Sequence, residues 1–209
     1  MSNISLTPTR AIAFDWGGVF TVGTFDGRST GRLADKYSLD VVEVRKHYFE
    51  LVHKLELGTW TLQEFWSEFG SRISLSNVPY ADFESLYVSS ILENDPMYAF
   101  LPTISSEFRV GLLSNNYPTI CDILEHDPRW KRFDRMVFSN KIGVKKPDPA
   151  SFEALLASLE LPGHRVVFVD DVPENLEAAA KLGIAGILYD AHEHERFLSD
   201  LEAWKQNRT

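Results

Sequence analysis

Five short apolar runs, unevenly spaced, limit what this chain can fold into: RAIAFD at 10–15, FRVGLL at 108–113, RMVF at 135–138, RVVFVD at 165–170 and IAGILY at 184–189. Near-continuous apolar runs of this length suit parallel strands that are covered on both faces. Helical patterns lie between the later runs. In PASFEALLASLE (149–160), Phe152, Leu155, Leu156 and Leu159 recur at spacings of three and four. PENLEAAAKLG (173–183) opens on Pro173 and closes on Gly183, as helices favour. Strand and helix therefore alternate from residue 108 onward. The expectation is an α/β fold with a doubly wound, mostly parallel sheet.

The segment 23–94 breaks that rhythm. It carries VVEVRKHYFELVHKLELG, TLQEFWSEFGSRI and YADFESLYVSSILE, each at helical period. Thr61 and Glu64 form a capping box opening the middle helix. Trp60, Phe65, Trp66 and Phe69 recur at helical spacing and read as the core of this block. The stretches TVGTFDGRSTG before it and ENDPM after it have the composition of linkers. An all-helical domain at 23–94, inserted into a core made of 1–22 and 95–209, is the expected organisation. A lid over the strand ends is its natural use.

The net charge of −9 argues against a nucleic-acid partner, because phosphate backbones reward a cationic footprint. Cys121 is the only cysteine, which excludes an intrachain disulfide and suits a reducing compartment. The N-terminal MSNISLTPTR lacks an apolar leader, and no run long enough to cross a membrane occurs. A cytoplasmic protein with no membrane partner is expected; oligomeric state, monomer or homodimer, is not legible.

Ligands of open α/β sheets bind outside the carboxyl ends of the strands. There the sequence places Asp15, Gly17 and Gly18 after the first run, and Ser114 and Asn115 after the second. Lys145 and Lys146 precede the helix at 149, and Asp170 and Asp171 end the fourth run. Asp15 could attack phosphorus as a nucleophile. Mg²⁺ would be held by Asp15 and the Asp170–Asp171 pair. Ser114, Asn115 and backbone N–H groups at Gly17 and Gly18 would bond phosphoryl oxygens, and Lys146 would stabilise the negative charge.

FDWGGV, LLSNN, KKPDP and FVDDVPENLEAAAKLG, in that order, resemble the four motifs of the haloacid dehalogenase superfamily, most of whose members are Mg²⁺-dependent phosphatases. The resemblance covers 10–22 and 96–190. It implies a Rossmann-like core with an α-helical cap, similar to the glucose-1-phosphate phosphatase type and to the N-terminal phosphatase domain of soluble epoxide hydrolase. It further implies Asp15 as nucleophile, Ser114 as the phosphate-binding hydroxyl and Lys146, rather than a solvated Lys145, as the catalytic lysine. Asp171 is implied as a direct metal ligand, with Asp170 direct or through water. Asn175 reads as a helix-start residue, His192 and His194 as solvated, and Arg28 as a candidate for a substrate anion.

The superfamily carries a second Asp two residues after the nucleophile, as general acid and, through its carbonyl, metal ligand. Gly17 keeps the carbonyl and loses the acid. General acid catalysis contributes about 10²–10⁴-fold, roughly 3–5 kcal/mol of barrier. Either the substrate has a good leaving group, as an anomeric, aryl or acyl phosphate does, or a cap residue or water supplies the proton, or turnover is slow. The expected function is hydrolysis of a small phosphate ester, such as a sugar phosphate, through an aspartyl phosphate. Two alternatives remain. A phosphonatase would need a cap lysine, for which Lys36, Lys46 and Lys54 are candidates. A phosphate-sensing or protein-binding module would keep the fold without turnover.

Overall fold

A computed structural model describes residues 8–207. The stretches 1–7 and 208–209, which the expected core and the N-terminal reading include, lie outside the described residues. One parallel sheet runs in the order β3-β2-β1-β4-β5: β1 (Arg10–Phe14), β2 (Phe108–Ser114), β3 (Arg135–Phe138), β4 (Val166–Asp170) and β5 (Ala185–Leu188). All five coincide with the apolar runs. β1 is central, and Ile12 pairs with Val110 on one side and Val167 on the other.

Side chains alternate across a strand, so each face of the sheet must find its own cover. Ile12 and Phe14 join one apolar cluster, whereas Ala11 and Ala13 join another with Phe152, Leu155 and Leu159. This is why the runs read as continuously apolar: both faces are core.

Helices α1 (Phe25–Tyr37), α2 (Val41–Leu51), α3 (His53–Glu56), α4 (Leu62–Arg72) and α5 (Tyr80–Val88) lie between β1 and β2. The chain continues through α6 (Asp95–Phe100), α7 (Pro118–His126), α8 (Ser139–Ile142), α9 (Pro149–Leu159), α10 (Pro173–Ala180) and α11 (His194–Gln206). Within the inserted block, α1 packs on α2 and α5, and α4 packs on the same two helices. Phe65, Trp66 and Phe69 are buried as expected, Trp60 half-buried, and Trp66 stacks on Phe83 with centroids 4.2 Å apart. The Thr61–Glu64 capping box is present, closed by bonds of 2.8 and 3.2 Å.

Two expected linkers are corrected. Most of TVGTFDGRSTG is helix α1, opened by Thr24, whose hydroxyl accepts from the Gly27 N–H. Gly27 and Gly31 each weaken a helix by about 1 kcal/mol and mask its period. Burial of Phe25, Leu33 and Ala34 on one face overrides them. ENDPM likewise contains the start of α6, with Pro96 in its first turn. The two connecting segments pair with each other: Val22 N–H donates to the Leu92 carbonyl at 2.8 Å and Asn94 N–H to that of Phe20 at 2.9 Å. No helix among the described residues is long and apolar enough to cross a membrane.

The block also touches the core away from these connections. α3 lies against α8, and Gly58, at φ +69°, approaches so closely that a Cβ there would sit 2.1 Å from the Asn140 carbonyl oxygen. Glu56 pairs with Lys145, so Lys145 is not the solvated lysine expected.

Candidate active site

β1 and β4 are neighbours and end level with one another, which brings Asp15 beside Asp170 and Asp171. One carboxylate oxygen from each lies within 4.8 Å of the others. Asp15 and Asp170 are buried and Asp171 half-buried. Three converging anions repel unless a cation sits among them. Lys146, itself buried, supplies one: its Nζ lies 2.8 Å from Asp15 Oδ1 and 2.7 Å from Asp170 Oδ2.

One ammonium does not neutralise three carboxylates. Burial, reinforced by Asp170 and Asp171, pushes the Asp15 carboxyl up to about 7 although Lys146 pulls it down. Burial and then Asp170 push Asp171 up to about 6. For Lys146, burial opposes the charge, but Asp15 and Asp170 outweigh it and the ammonium is held above its usual range. The site is short of positive charge, and its free donors are oxygens. A hard divalent cation of the Mg²⁺ kind fits that set.

The supporting residues are equally specific. Asn175, in the first turn of α10, donates through Nδ2 to both oxygens of Asp170 at 3.0 Å. Val172 N–H donates to Asp170 Oδ1 at 2.8 Å. Asp15 Oδ1 accepts from Trp16 N–H at 2.7 Å as well as from Lys146, and no donor among the described residues bonds Oδ2. One oxygen is thus fixed and the other is available for chemistry. Ser114 is buried at the end of β2, with Asn116 Nδ2 3.4 Å from its Oγ.

Gly17 and Gly18 do different work. A Cβ at Gly17 would meet nothing within 4 Å, and no donor among the described residues bonds its carbonyl. At Gly18, φ is +68° and a Cβ would fall 2.1 Å from Asp171 Oδ2, so only glycine lets that carboxylate lie against the backbone.

Several expected contacts are otherwise engaged. The Asn115 side chain clamps Lys146, accepting from its N–H and donating to its carbonyl, both at 2.9 Å, so only the backbone of Asn115 is left to meet a ligand. The Gly18 N–H donates to Thr21 Oγ1 at 3.0 Å rather than into the crevice. Arg28 is exposed. His192 is exposed as expected, but His194 packs on Phe197, with ring centroids 5.5 Å apart. Lys36 and Lys46 are exposed, and Lys54 Nζ lies 5.1 Å from the Trp60 ring centroid. Sequence reasoning undervalued Asn175, whose place five residues after Asp170 and one turn into a helix was a usable signal. It missed Thr21, for which no spacing rule speaks.

A family model described as a haloacid dehalogenase-like hydrolase matches residues 9–183. The chain belongs to this family of hydrolases. Over 93% of its length it is 29% identical to acyl-CoA dehydrogenase family member 10 of Mus musculus, of which it spans 19%. It is 24% identical to the sesquiterpene phosphatase astK of Aspergillus oryzae, over 63% of this chain and 76% of that one. The chain spans less than a third of the length of several curated relatives it matches. The fold is shared with a haloacid dehalogenase family enzyme of Bacteroides thetaiotaomicron crystallised with magnesium and inorganic phosphate. The TM-score is 0.77 at 19% identity, covering 90% of this chain and 98% of that one.

Proposed function

We propose that the protein is a Mg²⁺-dependent phosphatase of small phosphate monoesters, working through an aspartyl phosphate on Asp15. The observation that carries this reading is the crevice of Asp15, Asp170 and Asp171 with a single buried lysine between two of them. A nucleophile paired to an ammonium and set among uncompensated carboxylates suits a reaction in which a cation and an anionic phosphate arrive together. The phosphatase among the relatives supports it, as does the fold shared with an enzyme that binds magnesium and phosphate.

Asp15 Oδ2 attacks phosphorus while Lys146 holds Oδ1 and the charge developing beside it. Ser114 Oγ and the Asn115 N–H bond the phosphoryl oxygens. Asn115 keeps Lys146 in place through its backbone, and Asn175 keeps Asp170 from turning away. Mg²⁺, held by Asp15, Asp170, Asp171 and the Gly17 carbonyl, would offset the repulsion between nucleophile and phosphate. Helices α1–α5 act as the cap over this crevice.

The phosphonatase alternative is disfavoured by its own requirement, since Lys36, Lys46 and Lys54 are exposed or laid on an aromatic ring. Phosphate release from a panel of phosphomonoesters, with and without Mg²⁺, tests the proposal. Mg²⁺-dependent release that Asp15→Asn abolishes is the expected result. Release from no ester, or release indifferent to Asp15, overturns it.

A further inference from the structure

An aspartyl-phosphate reaction needs a proton for the departing oxygen, and Gly17 provides no acid. One half-buried carboxyl is unused by the mechanism above. Asp26 lies in the first turn of α1, at the seam between the helical block and the strand ends. Its Oδ1 accepts two phenolic hydrogen bonds, from Tyr48 of α2 at 2.5 Å and from Tyr117 of the core at 2.6 Å. Tyr48 is itself 2.9 Å from the hydroxyl of Tyr87 on α5. No donor among the described residues bonds Oδ2, and that atom is not sealed from solvent.

The neighbours of Asp26 pack on residues next to those of the crevice. Tyr117 follows Ser114 by three residues. Phe25, adjacent to Asp26, packs on Trp16, adjacent to Asp15, with centroids 6.0 Å apart, and on Tyr117 at 6.1 Å. Phenols of α2 and the core bond Asp26, and Arg45 of α2 donates to the carbonyl of the adjacent Gly27 at 3.3 Å. Two charges act on Asp26 from further elements, Glu56 on α3 and Lys145 before α9, and they are paired with each other. Burial raises the Asp26 carboxyl above its usual range, more than the two phenols lower it. An acid whose carbonyl oxygen is fixed and whose other oxygen is open is built to donate.

Resting on the phosphatase reading, we propose that Asp26 is the general acid that stands in for the carboxylate missing at Gly17. As the Asp15 oxygen bonds to phosphorus and the ester P–O bond breaks, the Oδ2 proton of Asp26 passes to the departing oxygen. The products are an alcohol, the aspartyl phosphate and an Asp26 carboxylate stabilised by the two phenols. Water then attacks phosphorus, the P–O bond to Asp15 breaks, and the proton lost by water returns to Asp26.

Single-turnover assays with enzyme in excess and Mg²⁺ present read only the leaving-group step. Asp26→Asn, isosteric and still able to accept from both tyrosines, is expected to slow an alkyl phosphate about 10²-fold or more. p-Nitrophenyl phosphate, whose leaving group needs no proton, should change only a few-fold. Adding Gly17→Asp, whose Cβ would meet nothing within 4 Å, should restore the alkyl ester at least about tenfold. His192→Gln, an exposed control, should spare both esters. The wild-type ratio of alkyl to aryl rate should fall as pH rises and Asp26 loses its proton, a reading that needs no variant. Equal slowing of both esters by Asp26→Asn, no restoration by Gly17→Asp, selective loss in His192→Gln, or a ratio flat with pH overturns the proposal. If the wild type releases phosphate from neither ester, the phosphatase reading fails and Asp26 with it; if it hydrolyses both, only the role of Asp26 is at stake.

Discussion

Asp15 is buried and Asp26 half-buried, and burial opposes the charge of each, yet they are equipped differently. Around Asp15 the chain has gathered charge: an ammonium at 2.8 Å and two further carboxylates that ask for a second cation. Around Asp26 it has gathered phenols, which bond a carboxyl without balancing a charge. Burial alone does not decide what a carboxyl does. The partner matters as well: Lys146 answers the burial of Asp15 with a full charge, whereas two phenols lower the Asp26 carboxyl less than burial raises it.

Removing the partner on the charged side should cost most. Lys146→Met leaves buried carboxylates without their cation, and loss of one member of a buried ion pair costs roughly 3–5 kcal/mol. Urea unfolding of the metal-free protein should show that loss along with loss of turnover; a cost near 1 kcal/mol would break the comparison.

Next comes the pH dependence of the metal's effect. Asp15 and Asp171 titrate at about 7 and about 6, above ordinary carboxylates near 4. The folded metal-free protein therefore binds more protons than the unfolded chain across that window, and its stability falls as pH rises through it. Mg²⁺ takes the ionised forms. At a hundredfold excess over Kd it adds about 2.7 kcal/mol, roughly 5–10 °C in Tm, at about pH 8 and much less at about pH 5. Equal shifts at both would show that these carboxylates do not hold the ion.

The adjacent glycines sharpen the same point. Gly18→Ala must strain a left-handed backbone and push Asp171 aside, costing about 1–2 kcal/mol and weakening Mg²⁺ binding about tenfold or more. Gly17→Ala enters open space and should stay within about 0.5 kcal/mol. Mg²⁺ titration of both variants by calorimetry checks this, and a larger defect in Gly17→Ala would contradict it.

A small loss is expected on the phenolic side. Tyr48→Phe removes one bond to Asp26 and leaves Tyr117 in place, which costs about 1 kcal/mol if the carboxyl is neutral. A cost approaching that of Lys146→Met would mean that Asp26 is ionised in the folded protein.

The sheet was legible in the sequence because both its faces are core: a strand such as FRVGLL has no polar positions to confuse the pattern. The same held for Asp15, Lys146, Asp170 and Asp171, each fixed by its place at a strand end or before a helix. Helix α1 was hidden because Gly27 and Gly31 suppress the local signal while burial of Phe25 and Leu33, a tertiary effect, decides the outcome. The engagement of Asn115 with Lys146 and of Lys145 with Glu56 joins residues far apart in the chain, and no local pattern announces it. Asp26 shows this most fully, since its environment is assembled from two helices of the block and one loop of the core.

The strand order carries a further consequence, for synthesis rather than catalysis. β1 precedes both its partners in the chain and is central in the sheet, with Ile12 waiting for Val110 on one side and Val167 on the other. Closing loops of that length is entropically costly and slows folding, so the apolar strand that presents Asp15 is made before both its partners and is locked late. Helices α1–α5, whose contacts are local, can form in the interval. A nascent chain stalled before β4 would expose an unpaired apolar strand, and it is there that a chaperone would have most to protect.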